Sequence, residues 1–299
     1  MKDKFITQPK ADKNKVLLVD WSNLSMRNLF VVPYDPTDNH FTQWKNMMLR
    51  SIRKLFTNHE CGRVIFCMEG HNNWRKDYYP EYKANRLVAR EASKIDFDTF
   101  FAEQDKFVKS LQELLTNCMF LKVDRAEADD LIAVITKKNQ QWEVVNISSD
   151  RDFYQLYKYP NYKQYDSVKE SWIEVLNPEN YLLEKVILGD AGDNVPKLKA
   201  KVGPKTAAKI INSDEGLEEW LKLENLEKEF ERNMNLISFD FIPEELQYTI
   251  QENVEAWAGA KFNPKKIMDF LKDNGCLGQF DMLGTFATLF QRFDVSVEE

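Results

Sequence analysis

Nine carboxylates stand out by where they fall along the chain: Asp20, Glu69, Glu127, Asp129, Asp130, Asp150, Asp152, Asp190 and Asp193. The apolar run KVLLV ends in Asp20 and RVIFCM ends in Glu69. CMFLKV leads past Asp124 to Glu127, and WEVVNI leads through two serines to Asp150. A single acid in a loop is an ordinary solvated group. Acids at the same end of successive runs are not independent, and so many could not stay ionised in one cleft without counter-ions. Hard cations bound by oxygen ligands solve that problem, and Mg²⁺ or Mn²⁺ fit best. Two such ions would activate a water and stabilise the leaving oxygen in phosphodiester hydrolysis. The three histidines, His40, His59 and His71, are scattered, and there is neither a Walker A loop nor a GxSxG elbow. Metal chemistry on phosphate, carried by acids alone, is the simplest reading.

A second pattern lies at residues 74–90, WRKDYYPEYKANRLVAR. Arg75, Lys76, Lys83, Arg86 and Arg90 interleave with Trp74, Tyr78, Tyr79 and Tyr82, against only Asp77 and Glu81. Charge that tracks phosphates beside rings that stack on bases suits a single strand. A solvated helix with a few core aromatics accounts for the same pattern.

The elements that must position these residues can be read from periodicity. Short apolar, partly β-branched runs read as buried strands. Between them, 41–58 carries Trp44, Met48, Ile52, Leu55 and Phe56 at helical spacing. Residues 99–115 do the same with Phe100, Phe107, Leu111, Leu114 and Leu115, and 131–138 follows the third run. This alternation predicts an α/β fold with a mostly parallel central sheet flanked by helices. Ligands of such sheets bind at the carboxyl ends of the strands, where the acids fall. Beyond about residue 176 the pattern turns helical, over 178–188, 204–212, 215–223 and 227–237, with two or three more helices in 243–299. Residues 1–14 read as a tail, 15–188 as the core, and 189–299 as a helical region. No internal repeat is present.

Composition narrows the class. The N-terminus is polar, without the apolar stretch of a signal peptide. No apolar run approaches the roughly 18 residues that span a bilayer. A cytoplasmic protein with no membrane partner is expected. Cys61, Cys67, Cys118 and Cys276 match no zinc spacing and read as free thiols. A net charge of −7 argues by itself against nucleic acid. Setting aside the nine clustered acids leaves +2, which is compatible with a DNA-binding surface without supporting one.

Four motifs, in order, resemble the bacterial and phage 5′-nuclease (flap endonuclease) family. WRKDYYPEYKANR is similar to that family's helical arch, here about residues 70–98, and RAEADDLIA to its central metal-binding helix. SSDRDFYQL resembles its paired-aspartate turn, and LGDAGDNVP followed by VGPKTAAKII resembles its last metal ligands running into a helix–hairpin DNA clamp. The resemblance covers roughly 15–240; within the family, KYPNYKQYDS and NLISFDFIPEE are most similar to the ribonuclease H of T-even phages, which removes RNA primers.

The resemblance implies two Mg²⁺ ions, with Mn²⁺ able to substitute. Asp20, Glu69, Glu127, Asp129 and Asp150 would surround the first, with Asp130 as an outer ligand; Asp152, Asp190 and Asp193 would serve the second, partly through waters. It also implies that Lys83 and Arg86 meet the scissile phosphate and that Tyr82 stacks near the displaced base. Arg75 and Lys76 would lie along the DNA, and Lys201, Gly203, Lys205 and Thr206 would grip duplex phosphates. A K⁺ ion at the hairpin is a family feature. The implied partners are branched or nicked duplex DNA and RNA–DNA with 5′ ends. A single-strand-binding protein or sliding clamp could dock on 278–293, GQFDMLGTFATLFQRF, where Gln279, Met282 and Phe286 loosely resemble a clamp peptide; an amphipathic core helix is the simpler account. A monomer is expected.

The chain departs from the family at Glu69, where aspartate is usual, and at Lys201, where many relatives have glycine. Helical spacing pairs Glu127 with Asp130, whereas the family pattern favours Asp129. Two readings compete: a PIN-type ribonuclease with a similar acidic site, and a non-catalytic junction-binding protein.

Overall fold

The strand ends that the acids follow belong to one sheet. In the computed structural model, which describes residues 12–33, 39–59, 61–86, 93–115, 118–213, 216–257 and 264–276, six strands pair in the order β3-β2-β1-β4-β5-β6. They are β1 (Asp12–Asp20), β2 (Cys61–Met68), β3 (Cys118–Lys122), β4 (Glu143–Ile147), β5 (Tyr162–Asp166) and β6 (Ser171–Ile173). All neighbours are parallel except β5 and β6. The chain builds outward from β1 to β3 on one side, then returns to lay β4 on the other. The switch point therefore falls between β1 and β4, where open α/β sheets form a crevice at their carboxyl ends.

Alternation along the strands divides the core. Leu17 and Val19 face one cluster, Val16 and Leu18 the other. On the first face lie α1 (Trp21–Val31), α2 (Asn39–Asn58) and α4 (Phe97–Leu114). On the second lie α5 (Ala128–Lys138) and a 3₁₀ turn, Asp152–Lys158. The short α3 (Arg75–Tyr78) precedes α4. After the sheet come α6 (Pro178–Leu188), α7 (Pro204–Ile211), α8 (Gly216–Glu224) and α9 (Glu227–Ile237), packed on one another. The last two described helices return to the sheet. Leu246, Ile250 and Val254 of α10 (Glu244–Glu255) join the second cluster. Ile267, Phe270 and Leu271 of α11 (Pro264–Asp273) join the first.

Three expectations change. The first strand begins at Asp12, whose register partner is Cys61, so the polar segment before Lys15 is not all tail. Helix α1 was not expected, because its apolar residues begin directly after the strand. β5 and β6 were not among the four strand-like runs read from the sequence. Residues 87–92 of the arch and the segment 278–293 lie outside the described residues.

Candidate active site: a carboxylate cleft at the strand ends

Each acid is delivered by a local device. Asp20 ends β1 and also caps α1, accepting from the Asn23 backbone N–H at 2.9 Å. Glu69 follows β2. Gly70 behind it lies against the 123–126 loop so closely that any Cβ would overlap the Val123 carbonyl. Glu127 caps α5, forming a capping box with Asp130, and Asp129 sits in its first turn. Asp150 and Asp152 share the turn after β4, where the Asp152 N–H donates to Asp150 Oδ1 at 2.9 Å. Gly189, at φ 66°, turns the chain into Asp190 where a side chain would strike Val195 and Pro196. The Asp190–Val195 bridge then folds 191–194 back, with Asp190 Oδ1 accepting from Gly192 N at 2.8 Å.

Two groups of acids result. Asp152, Asp190 and Asp193 each place a carboxylate oxygen within 4.8 Å of the others. Asp20, Glu69, Asp129 and Asp150 act on one another's charge beside them. Burial, then Asp150, raises the Asp20 carboxyl to about 6 despite its N-cap bond. Burial and then Asp20 and Asp150 hold Asp129 well above the usual carboxylate range. Asp152 is raised to about 6 by burial, with Lys185 opposing. Glu69 is exposed along part of its length; the protein packed about its carboxyl, and then Glu127, raise its pKa, with Lys83 opposing. These carboxyls are raised first by burial and then by one another, and a divalent cation among them would offset both.

Glu127 differs. Burial works against its charge, but Lys83 and Arg75 outweigh it and hold it down at about 2. Its oxygens already accept from Arg75 Nη1 at 3.1 Å, Tyr82 Oη at 3.0 Å and the Lys83 ammonium.

The basic and aromatic stretch divides between the interior and the cleft. Arg75 is 2% exposed, and its guanidinium holds Asp130 through bonds of 2.7 and 3.0 Å. Its Nε donates to the Leu236 carbonyl. Buried and fully engaged, Arg75 cannot lie along DNA in this structure. Asp130 is likewise removed from the metal set: it is fully buried, with further bonds from Trp74 Nε1 and the Glu127 N–H. The helical spacing that paired Glu127 with Asp130 was correct, but for a capping box. Tyr82 is 3% exposed, and its hydroxyl contacts Glu127 and Asp193, so its ring is not available for stacking here. Lys76 is exposed. Lys83 and Arg86 do reach the cleft: the Lys83 ammonium lies 3.6 Å from Asp193, and Arg86 Nη2 donates to Asp193 at 2.7 Å. Burial disfavours the Lys83 ammonium, but Glu127, Asp193 and Glu69 raise its pKa above the usual lysine value.

Lys185 was missed from the sequence. Its ammonium bridges Asp152 and Asp190, the latter at 2.9 Å. In sequence it is one basic residue in the last turn of an ordinary helix, so nothing marks it as a cleft residue.

At the hairpin, Lys201, Lys205 and Thr206 are exposed, and Gly203 caps α7 with no atom near where a Cβ would lie. Lys201 adopts φ 66°, so a lysine here carries a left-handed turn of the kind that favours glycine. The Lys197 ammonium donates to the Val202 carbonyl at 3.3 Å.

Comparison with known proteins gives a consistent picture. The model of the 5′–3′ exonuclease N-terminal resolvase-like domain matches residues 15–186. The ribonuclease H of Enterobacteria phage T4 is 28% identical over 261 residues, covering 80% of this chain and 85% of that protein. Flap endonuclease Xni of Shewanella sp. strain W3-18-1 is 26% identical over 212 residues, covering 67% of this chain and 75% of that protein. Among solved structures, the zinc-bound T5 5′-exonuclease superposes with a TM-score of 0.65 at 19% identity, covering 81% of this chain and 98% of that one. At that identity the likeness speaks for the fold. With the exonuclease model spanning more than half of its length, the chain belongs to the 5′–3′ exonuclease family.

Proposed function

We propose that the chain is a divalent-metal-dependent 5′-nuclease that hydrolyses phosphodiester bonds near 5′ ends on branched or nicked duplexes, with removal of RNA primers during phage DNA replication as its role. The observation that carries this reading is the convergence of Asp152, Asp190 and Asp193 within 4.8 Å, beside Asp20, Asp129 and Asp150, at the switch point of the sheet. The ribonuclease H and flap endonuclease names of the relatives support the substrate class.

The residues fit Mg²⁺ or Mn²⁺: all donors are carboxylates, and Asp20 and Asp129 are held above their ordinary pKa by burial and by neighbouring acids, while the Lys185 ammonium between Asp152 and Asp190 stands where a bound cation would replace it. Asp152, Asp190 and Asp193 would hold one ion; Asp20, Asp129 and Asp150, with Glu69 nearby, would hold another. When bound, divalent ions supply a water of lowered pKa and stabilise charge on the phosphate and leaving oxygen. The chain supplies the rest. Lys83 and Arg86 present positive charge above the acids, where a phosphate would otherwise be repelled. Lys201, Lys205 and Thr206, exposed at the start of α7, would take duplex phosphates together with the helix N–H groups. Binding through backbone contacts is structure-selective and salt-sensitive. A K⁺ ion at the hairpin would need free main-chain carbonyls, and that of Val202 already accepts from Lys197.

Cleavage of a 5′-labelled flap duplex with Mg²⁺, with EDTA and with Asp150→Asn tests this. Cutting near the junction in Mg²⁺ alone, lost in both controls, is the expected result. Intact flap binding with no cleavage in either Mg²⁺ or Mn²⁺ would replace the enzyme by a junction-binding protein.

A further inference from the structure

The acid loop 190–194 and the base of the arch are joined by neutral hydrogen bonds that neither charge nor metal chemistry requires. Asn85 Nδ2 donates to the Ala191 carbonyl at 2.9 Å and to the Gly192 carbonyl at 3.3 Å. Asn194 Nδ2 donates in return to the Glu81 carbonyl at 2.8 Å. Between them the Lys83 N–H donates to the Asp193 carbonyl at 2.9 Å. Lys83 and Asn194 are both in the left-handed region, at φ 57° and 59°, so each segment turns sharply toward the other. The two segments lie more than a hundred residues apart in sequence, yet they meet as a short ladder with an asparagine at each end.

We infer that Asn85 and Asn194 are positioning residues that lock the arch base to the acid loop, so that the divalent-ion site of Asp152, Asp190 and Asp193 and the placement of Lys83 and Arg86 are one coupled unit. This inference rests on the metal-dependent reading above. The physical argument is the shared loop. Asp193 offers its carboxylate to the ion cluster and to Arg86, and its main-chain carbonyl to Lys83. A shift of residues 191–194 therefore moves an acid of the ion cluster and the anchor of both arch cations together. Linkage is reciprocal: an ion that fixes the acid loop favours the placed arch, and a strand that places the arch tightens the ion. Asn85 and Asn194 carry no charge, so their removal tests positioning without altering the field of the site.

Divalent-ion titration of the full-length chain by calorimetry, without DNA, reads this directly. Asp190→Asn identifies which ion the Asp152–Asp190–Asp193 cluster holds. Asn85→Ala and Asn194→Gly remove the side-chain donors, glycine being chosen because it keeps the left-handed turn at 194. Each is expected to weaken that ion roughly tenfold, the scale of one or two net hydrogen bonds, and to leave the other ion unchanged. Asn85→Gln, which restores the donor, should recover part of the loss, whereas Asn85→Asp should not. On a flap substrate the same variants should lower kcat with KM nearly unchanged. Wild-type affinity for both ions in Asn85→Ala and Asn194→Gly, with melting temperatures also unchanged, would overturn the coupling. A fall in melting temperature with equal weakening of both ions would reduce the ladder to a general fold contact and overturn it as well. Failure of the wild-type chain to bind any divalent ion would instead sink the metal-dependent reading.

Discussion

Arg75 and Lys76 are adjacent in sequence and opposite in role. Arg75 is buried against Asp130 and Glu127, so Arg75→Met leaves buried Asp130 without its cation and Glu127 with Lys83 alone. We expect a loss of about 3–5 kcal/mol in urea unfolding, typical of a broken buried pair. Lys76→Ala should leave stability unchanged and lower the salt slope of duplex binding by about one. The acids also predict a pH dependence. Asp20 and Asp152 are held at about 6 in the fold, above their ordinary 3.8. A carboxyl with a raised folded pKa binds its proton more tightly when folded, so its contribution is fully present below the ordinary value and is lost as pH rises through about 6. Glu127, depressed to about 2, works in the other sense and loses its contribution only below its ordinary 4.5. The melting temperature of the metal-free protein should therefore carry a component that falls between about pH 4 and 6, and Mg²⁺ should raise it more at neutral pH than at about pH 5. Mg²⁺ stabilisation that is equal at both pH values would contradict the shared cause.

At the scale of elements, two turns carry the site and respond oppositely to substitution. Gly70 is pressed against the 123–126 loop, so Gly70→Ala overpacks a backbone contact; about 1–3 kcal/mol of stability should be lost, along with divalent-ion affinity as Glu69 is displaced. Lys201 holds a left-handed conformation that costs a side chain about 1–2 kcal/mol, partly offset in glycine by greater unfolded-state freedom. Lys201→Gly should thus melt at the same temperature or slightly higher while duplex affinity drops. A clear loss of stability would mean that the lysine side chain supports the hairpin. The strands legible in sequence were those with apolar residues on both faces. β5 was not: it turns Tyr162, Gln164 and Asp166 inward, where Tyr162 Oη meets Asn146 and Gln164 Nε2 holds the Ser148 and Asp150 carbonyls. Tyr162 and Gln164 are satisfied by β4 and the turn after it, and Asp166 by the backbone of the turn after β5, so inward polar side chains replace the apolar pattern that marks a buried strand.

Across the whole molecule, the sheet is closed by helices from the far end of the chain. Leu246, Ile250 and Val254 cover one face, and Ile267, Phe270 and Leu271 the other. A chain ending at residue 243 would expose both patches while retaining every acid of the cleft. It should lose cooperative unfolding or aggregate, as followed by urea titration with fluorescence and far-UV signals. Coincident, cooperative transitions at the full-length midpoint would show that these helices are dispensable. The formal charge of −7 also resolves at this scale: acids gather in one cleft, while Lys201 and Lys205 stand exposed at the hairpin.

Periodicity and motif order, by themselves, determined the parallel α/β core, the helical region after residue 176 and the acids that follow the strands, because those signals are local and repeat every two or about 3.6 residues. They could not separate Asp129 from Asp130, or Arg75 from Lys76, because adjacent residues on a short helix differ only in direction. Tertiary structure decided that Asp130 and Arg75 satisfy each other inside the protein, that Tyr82 and Lys83 close over Glu127, and that Lys185 enters the acid cluster. The reason is electrostatic: a buried charge must find its partner, and that partner lies fifty or more residues away for Arg75.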